Sequence, residues 1–186
     1  MSTSPFSFGT KALGAGALVL SSVLVLGFIL PATWEAEATV LLPGDPDAAF
    51  RYLDSPDGWK AWTPWPDSSM ISGPARGAGA TLAWQDQEFG NGAFSITEAD
   101  PPTLVRYRVE VNDGGMWIDG VVELSPEGTG TRARWRESGD LGRNPLMGYW
   151  ALSMDRAQSE ELQKSLDRLA ALLADAPVDS IGSGPS

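Results

Sequence analysis

An α+β protein is predicted, in which a curved antiparallel sheet wraps around a long C-terminal helix and one apolar helix precedes both. Three observations predict it. The chain carries an uncharged run from Ala12 to Leu30, and a series of short alternating segments between Trp34 and Ser138 separated by Gly-rich and Pro-rich breaks. It then runs from Tyr149 to Ala176 without Gly or Pro, with apolar residues at three- and four-residue steps. With 186 residues there is room for one ordinary core and an appendage, and two full domains are not expected.

The run Ala12–Leu30 is long enough, at about 1.5 Å per helical residue, to span the hydrocarbon core of a bilayer. A transmembrane anchor is expected over 12–30. Lys11 precedes the run, while Glu35 and Glu37 follow it, so the excess of positive charge places residues 1–11 in the cytoplasm and the body outside. The triplet Ala36-Glu37-Ala38 resembles a signal cleavage site, which leaves a secreted, cleaved form as the alternative. Cleavage there would remove most of the first strand, so a retained anchor is preferred.

From Trp34 to Leu42 the residues alternate as in a half-buried strand, until Pro43-Gly44-Asp45-Pro46 stops it. Asp45 is placed to cap a short helix with Pro46 at its first position, and Ser55-Pro56-Asp57-Gly58 ends that run. Trp59, Trp62 and Trp65 follow at three-residue spacing, with Pro64 and Pro66 limiting any helix to a turn or two. Strands are then expected over Ala80–Gln85, Gly92–Glu98, Thr103–Val111, Met116–Leu124 and Thr131–Ser138, with a weaker one over Ser69–Gly73. Val105, Tyr107, Val109, Met116, Ile118, Val122, Leu124, Ala133 and Trp135 fall on one face. Arg106, Arg108, Glu110, Asp119, Glu123, Arg132, Arg134 and Arg136 fall on the other, where opposite charges are natural cross-strand partners.

The last helix opens on Asn144-Pro145, a cap followed by proline at the first helical position. Its stripe of Trp150, Met154, Leu162, Leu166, Leu169 and Leu173 needs an apolar surface, and the inner face of the sheet is the one large enough. The domain is therefore expected over 34–174, with a frayed tail over 175–186.

Composition excludes much chemistry. The chain has no cysteine and no histidine, which removes disulfides, thiol nucleophiles and the commonest general base and metal ligand. A net charge of −11 makes nucleic acid a poor partner. No phosphate loop, nucleophile elbow or metal spacing is present, so neither a cofactor nor a metal is expected. Glu88, Glu98 and Asp119 are the carboxylates nearest the strands, and their positions read as exposed or hairpin-like.

The order of elements is that of the helix-grip fold, and three boxes carry a closer resemblance: Pro31-Ala32-Thr33-Trp34-Glu35, Trp59-x-x-Trp62-Thr63-Pro64-Trp65, and Ser138 to Pro145. Over about 30–173 the sequence resembles the membrane-anchored branch of the START-like, polyketide cyclase/dehydrase (SRPBCC) superfamily. That resemblance implies a ligand space between sheet and long helix, lined by Tyr107, Val109, Met116, Ile118, Gly120, Trp135, Trp150 and Met154. Trp59, Trp62 and Trp65 would form its lid or, as such turns more often do, close one end of the core. The implied function is binding or carriage of a small hydrophobic, lipid-like or polyketide-like molecule. A cyclase/dehydrase and a non-enzymatic interaction scaffold are the alternatives. A buried carboxylate beside Tyr107 would favour catalysis, and a wholly apolar cavity would favour binding.

Overall fold

A computed structural model describes residues 6–87, 90–112, 114–141 and 145–176, without the side chains of residues 6–15, 19 and 152. Its elements are α1 (Phe6–Ile29), β1 (Thr33–Pro43), α2 (Pro46–Phe50), α3 (Pro56–Lys60), β2 (Met70–Ser72), β3 (Thr81–Asp86), β4 (Gly90–Asp100), β5 (Leu104–Val111), β6 (Met116–Glu127), β7 (Gly130–Asp140) and α4 (Pro145–Asp175). The seven strands form one antiparallel sheet in the order β1-β7-β6-β5-β4-β3-β2. It is a meander from β2 to β7; β1 pairs with β7 at one edge, and the two short helices carry the chain from it to β2 at the other. This is the helix-grip arrangement.

The local signals act as the residues suggest. Asp45 accepts a hydrogen bond from the Ala48 amide at the start of α2, and Ser55 does the same for Gly58 at the start of α3. A register shift between Ile96 and Glu98 puts a bulge into β4, which bends the sheet. Helix α4 lays Leu162, Leu166 and Leu169 into the core. It also protects the edge of β1: Asp155 accepts from the Glu35 amide at 3.1 Å and Ser159 from the Glu37 amide at 3.2 Å. A strand edge that would otherwise offer bare amides is thereby closed.

One expectation needs correction. Trp150, placed in the apolar stripe and among the cavity residues, is 60% exposed, while Ala151 beside it is buried. In its first turns α4 passes α1 instead of the sheet, with Tyr149 donating to the Val23 carbonyl at 2.7 Å, and the phase of the stripe changes there. Among the described residues no helix is long and apolar enough to cross a membrane; within the expected span 12–30 the side chains of residues 12–15 and 19 are not among those described. The Asn144 cap, and the tail from residue 177 onward, lie outside the described residues as well.

Large rings face glycines across the sheet. Tyr107 pairs with Gly120, Trp84 with Gly92 and Trp34 with Gly139. A Cβ on those glycines would come within 2.0 Å of the Tyr107 ring, 2.2 Å of Trp84 and 2.5 Å of Trp34. The rings lie flat over the neighbouring strand because nothing projects from it. Gly120→Ala should therefore displace Tyr107 and cost about 1–3 kcal/mol of stability, since the ring is held on its far side as well. Denaturant unfolding would measure this, and an unchanged midpoint would show that the ring moves freely.

Candidate functional site

The Trp turn after α3 folds onto the inner face of the sheet. Trp59 sits at the centre of a ring cluster, with centroids 4.7 Å from Trp62, 5.0 Å from Tyr107, 5.1 Å from Phe94 and 5.5 Å from Trp135. Its indole donates to the Leu53 carbonyl at 2.6 Å, which satisfies the polar handle of a fully buried tryptophan. Trp62 is buried in the same cluster, and Trp65 packs on Trp84 and Phe94 at 5.7 and 5.3 Å. The turn therefore closes one end of the core.

Against these rings stands a polar chain. The Trp135 indole donates to the Tyr107 oxygen at 2.7 Å, Tyr107 in turn donates to Oε1 of Glu137, and Gln158 donates to Oε2 of Glu137 at 2.8 Å. Tyr107 has one hydrogen, so accepting from Trp135 leaves it free to donate only toward Glu137. Strands β5 and β7 supply three members of the chain and α4 supplies the fourth. Glu137 is 8% exposed. Burial pushes its carboxyl above the ordinary value, against the opposing effect of its two hydrogen bonds. Burial, followed by the neighbouring Glu137 charge, pushes the Tyr107 hydroxyl well above its own.

Beside this chain is a cavity of about 180 Å³, walled by Trp59, Trp65, Phe94, Tyr107, Val109, Trp135 and Leu162, with Thr63, Gln158, Ser165, Glu137 and Glu161 at its polar margin. Of the residues expected to line a ligand space, Tyr107, Val109 and Trp135 border it, as do Trp59 and Trp65 of the turn. Met116 and Ile118 are half-buried farther along the sheet, opposite Val111 and Val109. Gly120 lies beneath the Tyr107 ring, Met154 packs against the core, and Trp150 is exposed. Glu137 and Gln158 escaped the sequence reading, although both were in phase. Residue 137 continues the inward row of Ala133 and Trp135, and residue 158 falls midway between Met154 and Leu162 on the inward stripe.

A larger hollow, about 750 Å³, is bounded mainly by outward-facing side chains including Glu35, Glu37, Arg106, Asp119, Arg136 and Ser138. Its arginines are engaged. Arg106 pairs with Glu98, Arg108 with Asp119, Arg134 with Glu37 and Arg136 with Glu123, all between neighbouring strands. Arg132 pairs with Glu127. This is a solvated, ion-paired face, and Glu98 and Asp119 belong to it; Glu88 lies outside the described residues. Among the described residues no cluster of acids could hold a metal ion.

Solved structures share the fold at low identity. The di-domain ARO/CYC StfQ of the steffimycin biosynthetic pathway aligns with a TM-score of 0.59 at 14% identity, over 77% of this chain and 51% of that one. DynU16, from the dynemicin biosynthetic locus, gives 0.56 at 16% identity, over 76% of this chain and 47% of that one. A protein from Chromobacterium violaceum gives 0.53 at 19% identity, over 76% of this chain and 98% of that one. The chain thus spans about half the length of the first two. No curated protein matches it in sequence. A model for polyketide cyclase/dehydrase and lipid transport proteins matches residues 33–174, from the first residue of β1 to the last turn of α4, and the chain belongs to that family.

Proposed function

We propose that the domain binds a small, mostly apolar molecule in the cavity between the Trp turn, the sheet and α4. The observation that carries this reading is the cavity itself, about 180 Å³ with eight apolar or aromatic residues in its lining, Pro64 among them. An apolar cavity of about 150 Å³ accepts benzene, so the space suits one ring or the end of a longer molecule, with desolvation as the driving force. A ring-sized apolar ligand should raise the melting temperature and change Trp emission saturably. Val109→Trp, which fills the cavity from its half-buried wall, should remove both responses and keep the fold. A ligand response that persists in Val109→Trp would place binding elsewhere.

Glu137 beside Tyr107 favours a second reading, catalysis of the cyclase/dehydrase kind. A carboxyl held in an aromatic, water-poor site with a raised proton affinity can give or take a proton at a bound substrate. The proton affinity is open to measurement. Because burial raises the Glu137 carboxyl above 4.5, the folded chain keeps a proton that the unfolded chain has released. The stability this contributes is complete below the ordinary value and is lost as pH rises through the raised one. Glu137→Gln keeps an acceptor for Tyr107 and cannot ionise. Its melting temperature should therefore fall less than that of the parent as pH rises above the ordinary carboxyl value of 4.5. Parallel curves would show that Glu137 is not the titrating group.

We also propose that the domain is tethered to the cell membrane by a single-pass helix over 12–30, with the body extracytoplasmic. The uncharged run and the exposed Leu18, Leu20, Val25, Phe28 and Ile29 of α1 support this. The full chain should stay with membranes through a carbonate wash, and a C-terminal reporter should read the extracytoplasmic side. Release by carbonate, or a cytoplasmic reporter signal, would overturn the tether or its orientation.

A further inference from the structure

We infer that the molecule taken by the Trp-walled cavity carries a positive charge: a small organic cation such as an alkylammonium or trimethylammonium group. The inference rests on the binding proposed above and adds the class of ligand. It begins with the hydrogen bonds of Glu137. Tyr107 and the Gln158 amide each donate to one of its oxygens, so both oxygens act as acceptors. That arrangement can accommodate an ionised carboxylate, which accepts at both oxygens, while burial keeps the proton on it until a counter-charge arrives. Buried charges in folded proteins are paired or neutralised. Among the described residues Glu137 has neither lysine nor arginine within ion-pair distance, and the cations nearby in sequence are committed elsewhere. Arg136 pairs with Glu123 on the outer face, and Arg134 with Glu37. On α4, Arg168 donates to the Trp62 carbonyl and to Ser165 and pairs with Glu161, which also meets Lys164. The site thus holds a carboxyl whose ionised form would have two donors and no counter-charge.

The cavity is suited to supply it. Its walls include Trp59, Trp65, Phe94, Tyr107 and Trp135, and aromatic faces attract cations that have been stripped of water. No arginine or lysine lines it. The volume of about 180 Å³ admits a trimethylammonium group, whose bulk is comparable to that of a small ring. The chain as a whole, at −11, concentrates small cations around it. Without ligand, burial favours a proton on Glu137; an entering cation replaces that proton. The other titratable or charged groups around the site are Tyr107 on β5 and Glu161, Lys164 and Arg168 on α4. Tyr107 stays protonated because its hydroxyl is raised; Glu161 pairs with both Lys164 and Arg168, so the three together carry one positive charge, and neither of those two cations lines the cavity.

The test compares shape-matched pairs on the full chain. Choline is set against 3,3-dimethylbutan-1-ol, and benzyltrimethylammonium against neopentylbenzene, with binding read by Trp emission and by calorimetry in buffers of different ionisation enthalpy. Each cation should bind about tenfold or more tightly than its neutral partner and release a proton to the buffer. Glu137→Gln, checked for an intact melting transition, should erase both the preference and the proton release. If the neutral members bind as tightly as the cations, or if Glu137→Gln keeps the preference, the charge assignment is wrong while the apolar cavity stands. If no member of either pair binds, the cavity reading falls with it.

Discussion

The Tyr107 ring can lie across β6 only because residue 120 has no side chain, and the position of every polar group at the site follows from that. With the ring flat over Gly120, its hydroxyl is carried toward β7, where the Trp135 indole and the Glu137 carboxyl meet it. A bulkier residue at 120 would lift the ring, and the chain from Trp135 to Gln158 would lose its middle link. Trp84 over Gly92 and Trp34 over Gly139 repeat the device at other points of the sheet. A sheet that must bury many large rings on one face needs places where the neighbouring strand offers only backbone. The strand glycines, which suggest empty space when the sequence is taken alone, are where rings are accommodated.

This has a consequence for function. Most of the space between sheet and helix is filled by Trp59, Trp62, Phe94, Tyr107 and Trp135 in edge and tilted contacts. Such contacts contribute about 0.5–1.5 kcal/mol each beyond area burial, so the cluster resists being opened. What remains is a space of ring size at the margin where the Trp turn meets α4. Selectivity in so small a space comes from the few polar groups that touch it.

Much of the fold was legible because the signals are local and repeated. The alternation from Trp34 to Leu42 and from Thr131 to Ser138 marks β1 and β7, which pair along one edge of the sheet, and Asp45-Pro46 marks the helix start that the structure shows. The membership of residues 105, 107, 122, 124, 133 and 135 in one buried row followed from parity alone. The site was less legible. Glu137 has the parity of that row, but an acid at its end reads as the strand leaving the core, and only the Tyr107 and Gln158 bonds show that it is buried. Gln158 was passed over for the same reason, as a polar residue within an apolar stripe. Trp150 failed in the opposite sense: its type and spacing suited the stripe, yet the first turns of α4 have α1 and not the sheet beside them. Periodicity tells which residues share a face, and only tertiary structure tells what that face meets.

The distribution of charge separates the two faces of the sheet in kind as well as in degree. Outside, arginines face acids across strands in water, where each pair contributes little and the loss of one matters little. Inside, one carboxyl stands among tryptophans. Replacing a buried ionisable group by a well-packed apolar one is often neutral or stabilising, so the sheet does not need Glu137 in order to fold. Neither does Tyr107 require an acid, since a backbone carbonyl or a glutamine would accept its proton equally well. A group that raises the cost of folding, is held from two sides by donors and borders a cavity built of aromatic walls has its explanation in what enters that cavity. Function at this site is therefore to be sought in the charge and proton affinity of Glu137 before it is sought in the apolar walls around it.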